Sequence, residues 1–499
     1  MRLWPRKRQW RLVVLAALVA VLAVVYRPAA HLIRTALSDR DELRPLPAGR
    51  VDDASRMNET SVAEVWDMPP DDALAEEQLR NLLDRARREK LRVSIAGARH
   101  SMGGQTIARG GIQINMLSHN RMELNERDNL LHVQAGARWS EIVPYLDKHR
   151  RSVAVMQSND SFSVGGSLSV NCHGWQQNRP PIDSTVATLR LMKADGQIVR
   201  CSRTENAELF SLVLGGYGLF GVILDAELRV VPNERYRIAQ YVLPSDRFIA
   251  AWDENVGQSA DVGMACGRLS IVPGDTFLNE AILYVFTRDP TSAELPALTE
   301  LRFKDLARTI FRGSVDSDYG KKLRWSAERD LQPRLQSAVV SRNQLLNEPA
   351  TLLANRSQDS TDILHEYFVP RNRFNGFVAR LREIVPNSGA DLLNVTVRDI
   401  REDHDALLRY ADGDMASLVM LFNQPRTPDG DTRMRKLTGE LIDAALALGG
   451  RYYLPYRLHA RREQFERAYP QARRFFDLKR RYDPDELFQN EFYVKYGVK

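Results

Sequence analysis

The chain has 499 residues, 43% hydrophobic and 27% charged, which allows two or three domains around a large buried core. The formal charge of +6 is spread through the body without long Lys/Arg blocks, so composition argues against a nucleic-acid partner. Cys172, Cys201 and Cys266 have no C-x-x-C spacing and cannot all pair; neither a zinc site nor a disulfide framework is indicated, and they read as packing residues.

Arg2, Arg6, Lys7, Arg8 and Arg11 precede an apolar run from Leu12 to Tyr26. Its 15 residues reach about 22 Å as a helix, short of the roughly 30 Å hydrocarbon core, with Trp10 and Tyr26 suited to the interfaces. Arg27-Pro28-Ala29-Ala30-His31 makes a poor cleavage site, so an uncleaved anchor over residues 1–36 is expected, with a cleaved signal peptide as the alternative. The arginine-rich flank implies a single-pass protein of the inner membrane with its body outside the cytoplasm. Residues 37–56, polar and bearing Leu46-Pro47-Ala48-Gly49, read as a linker.

Asp71 and Asp72 open a helical pattern through Leu74, Leu79, Leu82, Leu83 and Ala86, closed by basic residues as the helix dipole prefers. A strand over 91–96 follows and runs into Gly97-Ala98-Arg99-His100-Ser101-Met102-Gly103-Gly104-Gln105. Small residues there let the backbone approach a phosphate, and successive N–H groups form an anion nest; a loop that merely turns a corner is the plain alternative. Strands are expected over 111–116 and 130–135 and a helix over 140–149. Val164-Gly165-Gly166-Ser167 begins a second small-residue loop, and strands 188–193 and 198–201 meet at Asp195-Gly196, a hairpin signal. Gly216-Tyr217-Gly218-Leu219-Phe220-Gly221 matches G-x-G-x-x-G, but a helical pattern precedes it and a strand follows, the reverse of a nicotinamide-binding unit.

In this order the motifs resemble the FAD-binding domain of the vanillyl-alcohol oxidase / p-cresol methylhydroxylase superfamily. His100-Ser101 through Gly104-Gln105 resembles the flavin-attachment loop of cytokinin dehydrogenases. Val164-Gly165-Gly166, Gly215-Gly216, Phe220-Gly221-Val222-Ile223, Tyr453-Leu454-Pro455-Tyr456 and Lys479 to Pro484 resemble later pieces of the family pattern. Asn171-Cys172-His173-Gly174 is similar to decaprenylphosphoryl-ribose and sugar-lactone oxidases, and Glu366-Tyr367-Phe368-Val369-Pro370 to aldonolactone and alditol oxidases. Two departures stand out: Ser158 where cytokinin dehydrogenases carry an aspartate base, with Asp160 nearby, and Tyr456 where decaprenylphosphoryl-ribose oxidases carry a lysine after the C-terminal tyrosine.

The resemblance implies an α+β fold: a two-subdomain FAD-binding domain over 57–235, a substrate (cap) domain over 236–445 and a C-terminal segment, 446–499, returning to the FAD domain. It implies FAD as cofactor, with His100 as the candidate residue of covalent attachment and, as the alternative, a histidine that only hydrogen-bonds the phosphates or packs beneath the ring. It also implies flavin contacts from Ala96, Gly97, Ala98, Arg99, His100, Ser101, Gly104, Gln105, Ser163, Gly165, Gly166, Ser169, His173, Gly174, Gly221, Ile223, Tyr453 and Asn490. Cys172 reads as packing.

Its chemistry is hydride transfer from a substrate carbon to the flavin, here an alcohol, sugar-lactone or polyol, with oxygen, a quinone or a cytochrome as acceptor. The alternatives are an amine dehydrogenase of cytokinin type and an anchored flavin-binding protein without turnover. In the cap, alternation puts Glu366 and Phe368 on one strand face and Asn394, Thr396 and Arg398 on one face of another. Glu366 and Arg398 are expected to hold substrate hydroxyls, with Glu366 or Tyr456 taking the proton; a surface salt bridge between adjacent strands is the alternative. Leu301 to Gly313 reads as a basic amphipathic helix on the solvated surface, with membrane-surface contact as the other reading.

Overall fold

The computed structural model describes residue 10 and residues 26–39, 44–257, 259–300, 304–335 and 339–498. The apolar run before Tyr26, where the anchor is expected, lies outside the described residues. Among those described, no helix is long and apolar enough to cross a membrane.

Helix and sheet alternate in the first half of the chain. Asp71 caps the helix Asp72–Glu89 by accepting from the Leu74 amide, and Ala75, Leu79, Leu82, Leu83 and Ala86 form its buried stripe, the spacing that puts side chains on one helical face. The helix delivers the chain to Val93–Ala96, which pairs in parallel with Ile112–Asn115, itself parallel to Glu64–Asp67. The second sheet runs Ile198–Cys201, Val186–Met192, Val222–Pro232, Leu130–Gln134, Met122–Asn125, with Arg151–Val153 also paired to Val222–Pro232. The hairpin at Asp195-Gly196 forms with Gly196 at φ +80°. Gly216 to Gly221 lies between the helix Ala207–Val213 and the strand Val222–Pro232.

The second half is built on an eight-stranded antiparallel sheet whose centre is Asp391–Ile400, Met415–Pro425 and Ser360–Pro370. Met415–Pro425 is buried at every position but its last. Its near-continuous apolar run is what a strand covered on both faces requires: the helix Pro428–Ala447 packs against it, and residues Val419 and Leu421 of the opposite face line a cavity. The chain then returns to the first half, where Phe488 bridges to Val93.

Three expectations are corrected. The stretch called a linker is exposed over 44–49 but packed from residue 50 onward: Arg50–Val51 pairs with Thr60–Ser61, and the buried Asp53 carboxylate accepts from the Gly104 amide at 2.7 Å. The second small-residue loop is a short helix, Val164–Ser169. The basic helix, Lys304–Arg312 in the described residues, turns its arginines inward. Arg308 forks onto Asp39 at 2.8 and 2.9 Å and Arg312 pairs with Asp362 at 2.5 Å, because buried guanidiniums need carboxylates and both are at hand.

Candidate active site

One cavity of about 1470 Å³ runs between the glycine-bearing loops of the first half and the cavity face of the eight-stranded sheet. From the first half it is walled by Gly97 to Ser101, Gln105, Ser163, Gly165, Gly166, Ser169, His173, Gly221 and Ile223; from the second by Glu366, Arg398, Tyr453 and Tyr456.

The Gly97–Ser101 turn is shaped by Arg99 at φ 58°. Among the described residues no protein acceptor takes the N–H groups of Gly97, Arg99, His100 or Ser101, while Arg99 Nε and Ser101 Oγ are buried without partners. Such groups are costly unless something accepts from them. A Cβ on Gly166 would meet only Ser163 Oγ, at 3.0 Å, so that side of the short helix is otherwise open to the cavity. Donors without acceptors, small residues and room together fit a dinucleotide whose pyrophosphate takes the free N–H groups. His100 stacks on Phe162, centroids 4.1 Å apart at 16°, and burial pushes its imidazole below the ordinary histidine range.

At the sheet end, Glu366 is 2% exposed. Its Oε1 lies 2.6 Å from His173 Nε2 and accepts from Ser417 Oγ at 2.5 Å; its Oε2 accepts from the Tyr456 hydroxyl at 3.2 Å. Burial by itself raises a carboxyl, but the His173 ring, Arg398 and the Ser417 hydroxyl outweigh it and hold Glu366 below the usual carboxylate range. Burial pushes His173 down despite that carboxylate, and burial together with the Glu366 charge raises Tyr456 well above the usual phenol range. The arrangement is an ionised Glu366 that accepts from two hydroxyls with the neutral His173 ring in close contact. His173 Nδ1 is buried without a partner, its ring set among Phe368, Tyr410 and Tyr453.

Arg398 donates to the His173 carbonyl at 3.2 Å and to Ser158 Oγ at 2.9 Å. The expected alternative of a surface salt bridge with Glu366 fails: both are buried, Met415–Pro425 separates their strands, and no ion pair joins them among the described residues. The alternating stripe Asn394, Thr396, Arg398 does line the cavity.

Four residues expected at the flavin lie off the cavity wall. Ala96 ends a buried strand. Gly104, at φ +73°, turns the chain against Glu491. Gly174 packs on the Met156 carbonyl, where a Cβ would come within 2.0 Å. Asn490 caps the helix Glu491–Tyr496 and ties Gln105 and Tyr217 together. Sequence reasoning missed Ser417, whose only signal is being the lone hydroxyl in an apolar strand, and Phe162, Arg268, Tyr284 and Arg324, which all line the cavity. Cys172 also reaches the wall, with burial raising its thiol to about 12. The expected packing role fits a thiol so reluctant to ionise.

Compared with known proteins, residues 74–202 match a family model described as an FAD binding domain. The chain is 24% identical to L-gulonolactone oxidase of Mus musculus over 437 residues, 84% of this chain and 92% of that protein. It is 28% identical to cytokinin dehydrogenase 10 of Oryza sativa subsp. japonica over 448 residues, 79% of this chain and 77% of that one. D-arabinono-1,4-lactone oxidase of Debaryomyces hansenii is 25% identical over 191 residues, 36% of this chain and 34% of that protein. With the cavity's free donors and these relatives, FAD is the cofactor, residues 74–202 are an FAD-binding domain, and the relatives are consistent with the vanillyl-alcohol oxidase / p-cresol methylhydroxylase superfamily of FAD-dependent oxidoreductases.

Proposed function

We propose that the protein oxidises a carbon-bound hydroxyl of an alcohol, sugar-lactone or polyol-like substrate. The observation that carries this reading is the buried, ionised Glu366 on the wall of the same cavity as the flavin loops. Bound FAD, held by the Gly97–Ser101 turn, Ser163, Gly165, Gly166 and Ser169, supplies a hydride acceptor. Glu366 is the group that receives the hydroxyl proton, because it is the anionic member of the cluster and lines the cavity. Tyr456, kept protonated, and Ser417 orient its oxygens, and His173 fixes the carboxylate from the third side. Arg398 presents donors toward a substrate oxygen from across the sheet. Glu366 is buried, so the proton has few competitors in solvent.

An amine dehydrogenase of cytokinin type draws support from the long similarity to cytokinin dehydrogenase 10, but Ser158 stands where that chemistry needs a carboxylate and is engaged by Arg398. Enzyme and non-turnover scaffold differ in whether any substrate bleaches the flavin. An anaerobic screen of alcohols, aldonolactones and polyols tests the reading: loss of the oxidised flavin band with one class supports it, and no bleaching by any hydroxyl compound overturns it. Readmitting oxygen then separates an oxidase from a dehydrogenase that needs a quinone or cytochrome. The same reading puts the body on the outer side of the cytoplasmic membrane, as the N-terminal charges support; reporter fusions after residue 60 should be active only for an exported reporter.

A further inference from the structure

The end of the cavity far from Glu366 holds a buried guanidinium, that of Arg324, which makes no ion pair among the described residues. Pairing sets Arg268 opposite Thr396, Thr396 opposite Val419, and Val419 opposite Glu366. Arg268 and Glu366 thus end one row across four strands, about 14 Å apart along the sheet. Arg268 is held by Glu328, Nε to Oε1 at 3.0 Å and Nη2 to Oε2 at 3.2 Å. Beside it Arg324 has no carboxylate within ion-pair reach among the described residues. It donates to the Leu393 carbonyl at 2.6 Å and to Asn394 Oδ1 at 3.0 Å and stacks on Phe311 at 4.5 Å.

Of the two neighbouring guanidiniums in this wall only Arg268 is ion-paired, and burial and the neighbouring Arg268 push Arg324 down to about 9. The Tyr284 phenol, 7% exposed, lines the same cavity with its hydroxyl buried and unpartnered. Glu348 also faces this end; burial raises its carboxyl while Arg268 opposes the rise, and it makes no ion pair with either guanidinium among the described residues. Buried cations of this kind are stabilised by an oxyanion, and a guanidinium offers the fork that carboxylate and phosphate accept.

We propose that the substrate carries an anionic group, a carboxylate or a phosphate, at the end remote from the oxidised carbon, and that Arg324, Arg268 and Tyr284 seat it. This rests on the reading of Glu366 as the reacting end. It makes a hydroxy acid or a phosphorylated polyol a better substrate than a neutral polyol of equal length.

The test is titration calorimetry on the flavin-loaded protein with D-gluconate, D-glucitol 6-phosphate and neutral D-glucitol, at ionic strength matched with chloride. At least one anion should bind on the order of 10- to 100-fold more tightly than D-glucitol, the range of a charge-assisted contact, and the tighter of the two tells carboxylate from phosphate. Arg324→Gln should abolish that preference with flavin content unchanged. Tyr284→Phe, which removes one oxygen from an intact wall, should weaken anion binding about 3-fold or more. Equal binding of all three compounds, or a preference that survives both substitutions, overturns the proposal, as does loss of FAD from Arg324→Gln, which would assign the guanidinium to the cofactor. Arg324-dependent anion binding without flavin reduction would sustain this inference while sinking the oxidation reading; reduction by neutral polyols with no anion preference would do the reverse.

Discussion

Replacing Asn490 by Ala should destabilise the protein by about 3 to 5 kcal/mol while leaving every group on the cavity wall in place. The side chain is 3% exposed. Its Nδ2 donates to the Gln105 carbonyl at 2.9 Å and the Tyr217 carbonyl at 2.8 Å, and its Oδ1 accepts from the Tyr493 amide at 3.0 Å. Losing the helix cap costs about 1 kcal/mol, and each buried carbonyl left without its donor costs about 1 to 2 kcal/mol. Asn490→Asp keeps the acceptor for Tyr493 and loses both donors, so it should still be strongly destabilised. Urea unfolding followed by tryptophan fluorescence, with flavin content measured by absorbance at low urea, reads both effects. Unchanged stability with reduced flavin content would refute this reasoning and restore Asn490 as a direct flavin contact.

Two further predictions concern titration and attachment. Asn171 Nδ2 donates at 2.9 Å to both Asp183 and Asp403. Burial, then the adjoining Asp403 charge, raises Asp183 well above the carboxylate range, and burial raises Asp403. A raised carboxyl binds its proton more tightly when folded, so the pair's contribution is greatest at acid pH and is lost as pH rises from the ordinary carboxylate value through the raised one. Asp183→Asn, which carries its own hydrogens, should flatten the fall in melting temperature on that side; an unchanged pH profile would show that the pair shares no proton. At His100, burial keeps the ring neutral and nucleophilic, so the flavin should stay with acid-precipitated polypeptide and leave it in His100→Ala. Flavin wholly in the supernatant of the unmodified protein would rule out attachment and keep only the cradle.

Local signals made part of this architecture readable before any coordinates. Asp71 and the buried stripe of Asp72–Glu89 are a cap and a helical period within one stretch of chain, and the alternation of Asn394, Thr396 and Arg398 is a property of one strand. The order of elements around Gly216 to Gly221 was likewise enough to reject a nicotinamide site. The Val164–Ser169 helix was not readable, because six residues rich in Gly and Ser have neither propensity nor room for a period. The inward turn of Arg308 depends on Asp39, 269 residues away, and the cluster on Glu366 on His173, Ser417 and Tyr456 from three other segments. Tertiary pairing, invisible to a window of sequence, decides such sites. It also removed the salt-bridge alternative for Glu366 and Arg398, which stand on either side of a buried strand and both line the cavity.

The central claim is that ionised Glu366 receives the substrate proton in a flavin site, and Glu366→Gln tests it most directly because it keeps the shape and removes the charge. With a substrate found in the anaerobic screen, the account predicts unchanged flavin content and anaerobic flavin reduction slowed roughly 10²-fold or more. A variant that reduces its flavin at the unmodified rate would contradict the account and leave Glu366 as a structural acceptor for Ser417, Tyr456 and His173.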